Sequence, residues 1–435
     1  MENYCKGWGN LSLPKNYIDI VKNHNLKLTI GNLRSYGDVC ELAGGKIDSS
    51  LSKNRFISFD EKATTVEVEA GMTIGELCKW SISKKLFPNT VPGTQFATIG
   101  GCIANDVHGK NHHQQGSFGN GVIEIKLLRE DKEIICSKEK NSELFNASIG
   151  GLGLTGKIKS AKLQLLKITS PYLSIRAIKF SNLDEYYAID REIGNNYPYT
   201  VAWLDCAKTY ISNNANYRGI YIAGEPIEIS KSEWLKYLNQ KKAKNITFPL
   251  LLPFSLVNKY SLKIFNFFYY HKKLPSSTKL TSLQSFFFPL DHILLWNRIY
   301  GKKGFYQYQN LLPAKNKKDS LIETLSIISN SGFGSPLLVL KNFGKIPSVG
   351  LMSFPGEGVT LALDFVNHGN KTLELLNKLD QVTIEAGGRV NPAKDTRMNP
   401  QTFSRYFPQY EKMESFREPG RCSDFWLRVN SGKYF

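Results

Sequence analysis

The 435-residue sequence lacks the features that mark several classes of protein. Its seven cysteines are dispersed and form no C-x-x-C pair, which argues against a disulfide framework or a cysteine zinc site and favours a reducing compartment. No run of about eighteen apolar residues is present, so no membrane-spanning helix is expected. The N-terminal MENYCKGWGN has no basic flank followed by an apolar run, so we expect no secretion signal and a cytoplasmic location.

Acidic residues are scarce overall and absent from one long window. The formal net charge is +18, and between Glu233 and Asp291 the chain has nine lysines and no carboxylate side chain. The centre of this window, ITFPLLLPFSLVNKYSLKIFNFFYYHKKL, could be a buried core segment. Because two prolines interrupt its apolar run and lysines flank it, we instead expect residues 236–282 to contact an anionic membrane surface or a lipid tail. Nucleic acid is not expected as a partner, since no recognised binding motif accompanies the charge.

The stretch from Val91 to Gly121, VPGTQFATIGGCIANDVHGKNHHQQGSFGNG, is dense in glycine and carries three of the seven histidines. Glycine lets backbone N–H groups approach a ligand closely, because no Cβ holds the ligand away. Thr94, Thr98, Asn105 and Ser117 add short hydrogen-bonding side chains. Interleaved apolar residues predict that this loop is buried, and a buried loop must give its polar backbone groups a partner. We expect a cofactor site here rather than a structural glycine cluster.

Patterning along the rest of the chain predicts an α+β fold. A strand, LKLTI, runs into GNLRSYGD, a turn able to present N–H groups to a phosphate. FISFD with TTVEVEAG, and GVIEIKLLRED with KEIICS, alternate as two hairpins. Thr73 and Glu76 predict a capping box at the start of a helix. Between Pro171 and Gly388, strand-like segments such as GFYQYQNLLP and GVTLALDFV are combined with two long helices, the second ending at a glycine pair.

These motifs resemble the FAD domain of the vanillyl-alcohol oxidase superfamily. The resemblance rests on GNLRSYGD, VEAGMTIGEL, VPGT-x₃-TIGGCIANDVHGKNHH-x₃-SFGNGV and IGGLGLTG. When the later motifs GRVNPAKDTR, TFSRYFPQ and SDFWLRVN are also considered, the sequence is most similar to the flavoprotein oxidases that act on decaprenylphosphoryl-β-D-ribose. The resemblance implies a two-domain α+β flavoprotein. Its PCMH-type FAD-binding domain would comprise residues 1–170 and 389–435, with an antiparallel-sheet-plus-helices substrate domain inserted at 171–388.

The resemblance also implies a set of cofactor-binding residues. They are Gly31, Asn32, Leu33, Arg34, Ser35, Tyr36, Gly37, Asp38, Gly93, Thr94, Thr98, Gly100, Gly101, Cys102, Asn105, His108, Gly109, Ser117, Ile158 and Asn391. Arg34 stands where many relatives carry the histidine that bonds covalently to the flavin, so FAD is expected to be bound non-covalently. Leu33 stands where relatives usually have glycine, and it would be strained if the position requires positive φ.

Lys394, Tyr36 and His108 are the predicted catalytic residues. Lys394, in NPAKDTR, matches the lysine that the family places beside the flavin and the substrate. A desolvated lysine can accept a hydroxyl proton as hydride leaves the carbon, whereas the alternative is an ordinary salt bridge to Asp395. Tyr36 offers a second polar group, and the family match favours a flavin-side role for His108 over a purely structural one.

Substrate contacts are predicted for Lys110, Gln307, Gln309, Lys341 and Lys394. The resemblance places Gln307, Gln309 and Lys341 in the sugar–phosphate pocket, where amides suit hydroxyl recognition. Lys110 could also offset the negative charge that the flavin gains on reduction. No metal is expected.

The adjacent His112 and His113 have no nearby carboxylate or cysteine partners in the sequence. Such a pair makes a poor zinc site, so we interpret both as structural.

These inferences predict FAD-dependent oxidation of a secondary hydroxyl of a polyprenyl-phosphate-linked sugar. A separate NAD(P)H-dependent short-chain reductase would complete an epimerisation in cell-envelope polysaccharide biosynthesis, because no second G-x-G-x-x-G fingerprint follows a strand. The enzyme would be peripheral at the inner face of the cell membrane. One alternative is a soluble alditol or sugar-lactone oxidase, but a water-soluble substrate would not require the lysine-rich apolar window. Another is a non-catalytic lipid-phosphate-binding protein, against which Lys394 and His108 argue.

Overall fold

The computed structural model of the protein describes residues 5–13, 17–206, 217–240, 245–275 and 278–430. Its strands are β1 (Lys27–Ile30), β2 (Lys46–Ser49), β3 (Phe56–Asp60), β4 (Thr65–Glu69), β5 (Leu86–Pro88), β6 (Val122–Arg129), β7 (Lys132–Ser137), β8 (Lys157–Lys167), β9 (Tyr172–Phe180), β10 (Tyr199–Leu204), β11 (Gly219–Pro226), β12 (Ile246–Thr247), β13 (Lys279–Ser282), β14 (Ile293–Leu294), β15 (Phe305–Pro313), β16 (Val339–Phe343), β17 (Gly358–Val366) and β18 (Arg389–Val390). Its α-helices are α1 (Ile18–Asn23), α2 (Ile74–Ser83), α3 (Ile99–Ala104), α4 (His112–Gln115), α5 (Ser142–Ser148), α6 (Leu183–Ile189), α7 (Lys231–Leu238), α8 (Lys259–His271), α9 (Leu283–Phe287), α10 (Lys317–Ser331), α11 (Asn370–Glu385), α12 (Pro400–Tyr406), α13 (Tyr410–Ser415) and α14 (Asp424–Val429).

The first sheet has the strand order β3-β4-β8-β6-β7, with β5 also paired to β8, and all of these pairs are antiparallel. Both predicted hairpins are confirmed as β3–β4 and β6–β7. The capping box is confirmed too: Thr73 Oγ1 accepts the Glu76 N–H at 3.2 Å, and the Glu76 carboxylate accepts the Thr73 N–H at 2.8 Å. The glycine run 151–156 connects α5 to β8, the reverse of the strand-to-helix order that a dinucleotide fingerprint requires.

The second sheet is antiparallel, in the order β13-β9-β11-β10-β16-β17-β15-β18. Side chains alternate along β15. Tyr308 and Asn310 hydrogen-bond to Thr383 of α11 at 3.0 and 2.9 Å, so their face packs against the helix. Gln307 and Gln309 therefore point to the opposite face of the sheet. This period-two alternation places both amides on the same side of β15.

The end of the chain returns to its beginning. After β18 the backbone makes a 3₁₀ turn, Pro392–Lys394, and continues into α12, α13 and α14. Arg428 on α14 forms an ion pair with Asp38 at 2.8 Å, and the backbone at Arg421 forms an isolated parallel β-bridge with Lys27 of β1. These contacts hold the segment that carries Lys394 against the turn at residues 31–38.

No helix in the described part of the chain is long and apolar enough to cross a membrane. The window predicted to face lipid contains the end of α7 followed by β12, α8 and β13, whereas Lys241, Lys242 and Lys244 lie outside the described residues.

Candidate active site

One cavity of about 1280 Å³ brings the predicted segments together. The loop at 92–108 and the turn at 30–36 form part of its wall, and β15, β16 and β17 of the second sheet form another part. Residues of the segment 391–394 and part of the acid-free window also line it. The glycine-rich stretch, the predicted base and the lysine-rich window therefore share one space.

The turn at residues 31–36 lines the cavity, and its backbone has the positive φ at position 33 that would strain a leucine. Leu33 adopts φ +50, the left-handed conformation in which a leucine is strained. Gly31 lies so close to Thr98 that an added Cβ would be 2.3 Å from the Thr98 hydroxyl oxygen. Glycine is thus required at position 31 for close packing, while leucine holds the positive φ at position 33.

The cavity has polar atoms that no described residue satisfies. Arg34 Nε, Asn105 Oδ1 and Gln307 Oε1 are buried there without a hydrogen-bond partner among the described residues. Nothing described lies within 4 Å of the Cβ positions that side chains would take at Gly93 and Gly153. Buried polar atoms normally have partners, so this lining fits a large polar ligand such as FAD.

Lys394 is positioned by the turn that follows β18. Asn391 caps this turn by accepting the Ala393 N–H at 3.0 Å, and the Asn391 N–H donates to the Gln309 carbonyl at 2.9 Å. Burial, reinforced by nearby Lys341 and opposed by Asp364, lowers the pKa of Lys394 to about 7. Asp395 instead accepts from Arg428 at 3.1 Å, and no Lys394–Asp395 ion pair is found among the described residues.

His108 lies between two strands of the second sheet. Its Nε2 is 2.8 Å from Gln309 Nε2, and its Nδ1 is 3.5 Å from Lys341 Nζ. Burial first, and then the charges of Lys341, Lys394 and His112, hold the pKa of His108 well below its ordinary value. The imidazole is therefore neutral at physiological pH. Burial lowers the pKa of Lys341 to about 8.

Lys110 reaches the cavity from the glycine-rich stretch. Its ammonium donates to the Phe286 carbonyl and lies 4.4 Å from the centre of the Phe286 ring, a cation–π distance. Burial and the charge of Lys341 lower the pKa of Lys110 to about 7. Three lysines with depressed pKa values thus line a single cavity and favour an anionic group within it.

Tyr36 and Asp364 complete the polar lining. Asp364 accepts from Gln307 Nε2 at 2.7 Å and from the Tyr300 hydroxyl at 3.1 Å, and burial raises its pKa to about 6. Burial, with a contribution from Asp364, also raises the pKa of Tyr36 above its ordinary value. Tyr36 therefore keeps its proton and is suited to donate a hydrogen bond rather than to act as a base.

The sequence matches known flavoproteins. A family model described as an FAD binding domain matches residues 15–136. The chain is 33% identical to decaprenylphosphoryl-β-D-ribose oxidase of Mycolicibacterium smegmatis over 87% of its own length and 82% of that relative's length. The chain belongs to this family of FAD-dependent oxidoreductases. FAD as cofactor, oxidoreductase activity and the PCMH-type FAD-binding domain are thereby confirmed.

Two more distant relatives extend the comparison. An uncharacterized protein in the mprA 5′ region of Streptomyces coelicolor is 24% identical over 80% of the chain and 94% of that protein. Cytokinin dehydrogenase 1 of Arabidopsis thaliana is 22% identical over 82% of the chain and 62% of the relative.

Most of the residues expected to bind the flavin or substrate line the cavity. From the cofactor set, the lining contains Gly31, Asn32, Leu33, Arg34, Ser35, Tyr36, Gly93, Thr94, Thr98, Gly100, Gly101, Asn105, His108, Ile158 and Asn391. From the substrate set, it contains Lys110, Gln307, Gln309, Lys341 and Lys394. The fold brings these residues together from positions that are up to 363 residues apart, from Gly31 to Lys394.

Five residues of the predicted cofactor set, Gly37, Asp38, Cys102, Gly109 and Ser117, do not belong to this lining. Asp38 is occupied by Arg428, and Gly37 packs so tightly that a Cβ would be 1.8 Å from the Asp395 carbonyl oxygen. Cys102 is fully buried in the core of the first sheet. Asp38, Gly37 and Cys102 are therefore engaged in an ion pair or in packing outside the cavity lining.

The histidine pair is engaged in packing and backbone contacts. The His112 ring stacks on Phe343 with centroids 4.2 Å apart, and His113 Nε2 is 2.9 Å from the Tyr197 carbonyl oxygen. Among the described residues, no three or more histidines, cysteines or carboxylates are arranged to hold a metal ion.

Trp8 and Asp291 are two of the lining residues that were not singled out from the sequence. Trp8 lies under the Arg34 guanidinium, with 4.2 Å between the guanidinium carbon and the ring centre. Asp291 accepts the Thr94 hydroxyl at 3.0 Å and the Gln95 N–H at 2.6 Å, which ties the window to the glycine-rich stretch. Asp291 had a detectable signal, since it is the first acidic residue after the acid-free window.

Proposed function

We propose that this enzyme oxidises one secondary hydroxyl of a polyprenyl-phosphate-linked sugar to a ketone. A separate NAD(P)H-dependent short-chain reductase then returns hydride from the other face, so that the pair epimerises the sugar for cell-envelope polysaccharide biosynthesis. One observation carries the proposal: the cavity is lined by Lys110, Lys341 and Lys394 and also by Phe265 and Tyr269 of α8. A substrate with both an anionic group and an apolar chain matches that combination.

Bound FAD supplies the hydride acceptor. Unprotonated Lys394 accepts the proton of the reacting hydroxyl, directly or through one water, because its lowered pKa leaves a large uncharged fraction near neutral pH. Gln307 bonds to sugar hydroxyls, and protonated Tyr36 donates a further hydrogen bond. Lys110 and Lys341 face the phosphate and offset its charge. Arg34 cannot bond covalently to the flavin, so FAD is held by non-covalent contacts.

The partner of the window is an anionic lipid surface. In the described residues, the exposed large hydrophobic side chains other than Leu51, Phe56 and Ile57 all lie between positions 235 and 293. We call the exposed side chains of Tyr260, Ile264, Phe267 and Phe268 the α8 stripe; their spacing places them on one helix face. A core segment would bury this face, so the exposure favours the lipid interpretation over the core interpretation.

The opposite face of α8 turns inward. Phe265 and Tyr269 line the cavity, and Asn266 is buried with its amide donating to Asp205 at 2.7 Å. The same helix can therefore rest on a bilayer and form a wall of the site. This arrangement supports delivery of a lipid-linked sugar from the inner face of the cell membrane, where we place the enzyme as a peripheral protein.

The division into an FAD domain (1–170 and 389–435) and an inserted substrate domain (171–388) is part of the same proposal. It is supported by the two separate sheets and by the return of α14 to Asp38. In this arrangement the sugar lies between the glycine-rich stretch and the second sheet.

Anaerobic bleaching of the flavin absorbance tests the function. A short-chain prenylphosphoryl-β-D-ribose should reduce the bound flavin, whereas free alditols and sugar lactones should not. The product should regain its hydroxyl with inverted configuration when a short-chain reductase and NADPH are added. Bleaching by soluble alditols at lower concentrations would favour the soluble-oxidase alternative. Saturable binding of the prenyl phosphate without bleaching would favour a non-catalytic lipid-phosphate-binding protein.

Acid precipitation of the purified enzyme tests the attachment of the cofactor. Non-covalent FAD should leave its yellow colour in the supernatant. Flavin that stays in the pellet would contradict the assignment of Arg34.

A further inference from the structure

His108 is held between two nitrogen groups that both normally donate hydrogen bonds. Gln309 Nε2 lies 2.8 Å from its Nε2, and Lys341 Nζ lies 3.5 Å from its Nδ1. A neutral imidazole has one donor nitrogen and one acceptor nitrogen, so it can accept from only one of these neighbours. Which neighbour donates depends on how the Gln309 amide is oriented.

Two independent contacts orient that amide. Asn391 Oδ1 accepts the Ala393 N–H at 3.0 Å, so the Asn391 amide nitrogen points at Gln309 Oε1, 3.1 Å away. The Thr360 hydroxyl donates to the Asn310 carbonyl at 2.7 Å and must therefore accept from Gln309 Nε2, 2.9 Å away. Both contacts place the NH₂ group of Gln309 toward His108.

The orientation of Gln309 determines the histidine tautomer. His108 Nε2 accepts from Gln309, so the single ring proton of the neutral imidazole sits on Nδ1 and points at Lys341. An ammonium has three donors and no acceptor, whereas an uncharged amine has a lone pair. The 3.5 Å contact is therefore attractive only when Lys341 has lost its proton.

We propose that Asn391 is a positioning residue that acts through Gln309 to hold His108 with its proton on Nδ1, and that this tautomer favours the uncharged amine form of Lys341 over the ammonium. The charged and titratable groups around His108 keep its ring neutral, as this tautomer requires. Lys341 approaches from β16, Lys394 from the turn after β18 and His112 from α4, and each disfavours a further positive charge on the ring. Burial acts in the same direction on Lys341.

The state of Lys341 matters for ligand entry. An uncharged amine costs less to keep buried than an ammonium without a counter-ion, and it can take up a proton when an anionic group arrives. The series of hydrogen bonds from Asn391 through Gln309 and His108 thereby links the protonation state of Lys341 to the binding of an anionic group. This inference concerns the resting enzyme and holds whichever anionic substrate the proposed function identifies.

Long-range ¹⁵N–¹H NMR of the FAD-loaded, ¹⁵N-histidine-labelled enzyme tests the tautomer directly. In the wild type at a pH near 9, above the pKa of about 8 for Lys341, the His108 proton should reside on Nδ1. The Asn391→Asp variant keeps the cap at Ala393 but presents an acceptor to Gln309. Gln309 should then turn its amide, and the His108 proton should move to Nε2.

The ¹³Cε resonance of Lys341 gives a second readout. When Nδ1 becomes an acceptor, it stabilises the ammonium, so the titration midpoint of Lys341 should rise in Asn391→Asp relative to the wild type. Asn310→Asp adds the same negative charge on β15 without touching Gln309, and it should leave the His108 proton on Nδ1. Gln309→Glu, an independent variant, should also move the proton to Nε2.

Two kinds of NMR result would overturn the proposal. A wild-type His108 with its proton on Nε2, or a positively charged His108 at this pH, contradicts the tautomer. A His108 spectrum that is unchanged in both Asn391→Asp and Gln309→Glu removes the positioning role. These readouts need no turnover, so they are distinguishable from a failure of the proposed function.

Discussion

Lys394 has surroundings that suit a base and do not suit a structural cation. Its neighbour Asp395 is engaged by Arg428, and burial lowers the pKa of Lys394 to about 7. Its side-chain nitrogen lies 5.6 Å from the centre of the ring of Tyr36, another of the predicted catalytic residues. Tyr36 is a weaker candidate for the base because its pKa is raised.

Removing the amine of Lys394 should slow flavin reduction without releasing FAD. The Lys394→Ala variant should retain FAD, because most of the cavity lining expected to hold it comes from residues 30–36 and 92–108. Loss of general-base help typically costs about 10²–10⁴ in rate, which anaerobic stopped-flow spectroscopy of flavin bleaching can measure. Lys394→Arg serves as the matched control, because it keeps the positive charge but cannot accept a proton, and it should be equally slow. An arginine variant as fast as the wild type would show that charge alone suffices.

The rate of flavin reduction should depend on pH with the sign of a base. Below the lowered pKa of about 7, Lys394 is protonated and could not accept the hydroxyl proton that the proposed mechanism assigns to it. The rate should therefore fall about tenfold per pH unit on the acid side and level off above the pKa. Stopped-flow measurements across this range should show one inflection in the wild type, and Lys394→Ala should lose it. An inflection that persists in the alanine variant would assign the base to another residue.

At the scale of elements, α8 contributes side chains to the cavity on one side and exposes large apolar side chains on the other. Asn266 fixes its inner side through the 2.7 Å hydrogen bond to Asp205, and Leu262 is buried. The α8 stripe lies on its outer side, with Tyr260 and Phe268 each 68% exposed. Such exposure of large side chains on one face marks an interaction surface rather than a core helix.

Polar substitutions in the α8 stripe should weaken membrane binding and leave the fold intact. Burying one phenylalanine in an apolar phase contributes about 1.5–3 kcal/mol, so the double variant Phe267→Ser with Phe268→Ser should bind vesicles at least about tenfold more weakly. Its stability should change by no more than about 0.5 kcal/mol per site, because both side chains are exposed. Flotation with anionic vesicles and urea unfolding measure the two quantities.

The matched control is Leu51→Ser with Ile57→Ser, which removes two exposed apolar side chains away from α8. It should float like the wild type. Equal flotation of both double variants, or a loss of stability confined to the α8 variant, would favour the core interpretation of this helix.

At the scale of the whole molecule, the excess of lysine and arginine gives a net charge of +18. Part of this excess is concentrated in the acid-free window, beside the α8 stripe. The window also supplies Phe265, Tyr269, Lys272 and Lys279 to the cavity. Deleting the window would therefore damage the site as well as the surface, so charge screening is the cleaner test of the whole-molecule effect.

Salt should release the enzyme from anionic vesicles. Charge attraction is screened over about 10 Å at 0.1 M salt and about 3 Å at 1 M, whereas apolar insertion is not weakened by salt. We expect flotation to decrease as salt rises and to be weak with zwitterionic vesicles. Flotation that is indifferent to both salt and anionic lipid would show that apolar insertion alone holds the protein on the vesicle and that the lysines of the window do not contribute.

Much of the local structure of this protein could be predicted from the sequence, because it depends on interactions between residues that are close along the chain. The β3–β4 and β6–β7 hairpins and the cap at Thr73 follow from alternation and from side-chain to backbone bonds within a few residues. The glycine-rich stretch was enough to predict a cofactor site, because close backbone approach requires glycine, and the resemblance of its motifs to a flavoprotein superfamily predicted FAD. Lys394 was also identified from its flanking motif.

Only the tertiary structure decided how these residues meet. Asp38 pairs with Arg428, 390 positions away, and leaves the cavity lining, while Gly37 is required by the approach of the Asp395 carbonyl oxygen. His108 and Gln309 lie 201 positions apart, and the amide orientation between them depends on hydrogen bonds from a third segment. Residue types reveal which groups can donate or accept, but the direction of each bond and the depth of burial that shifts a pKa arise only when distant segments are packed together.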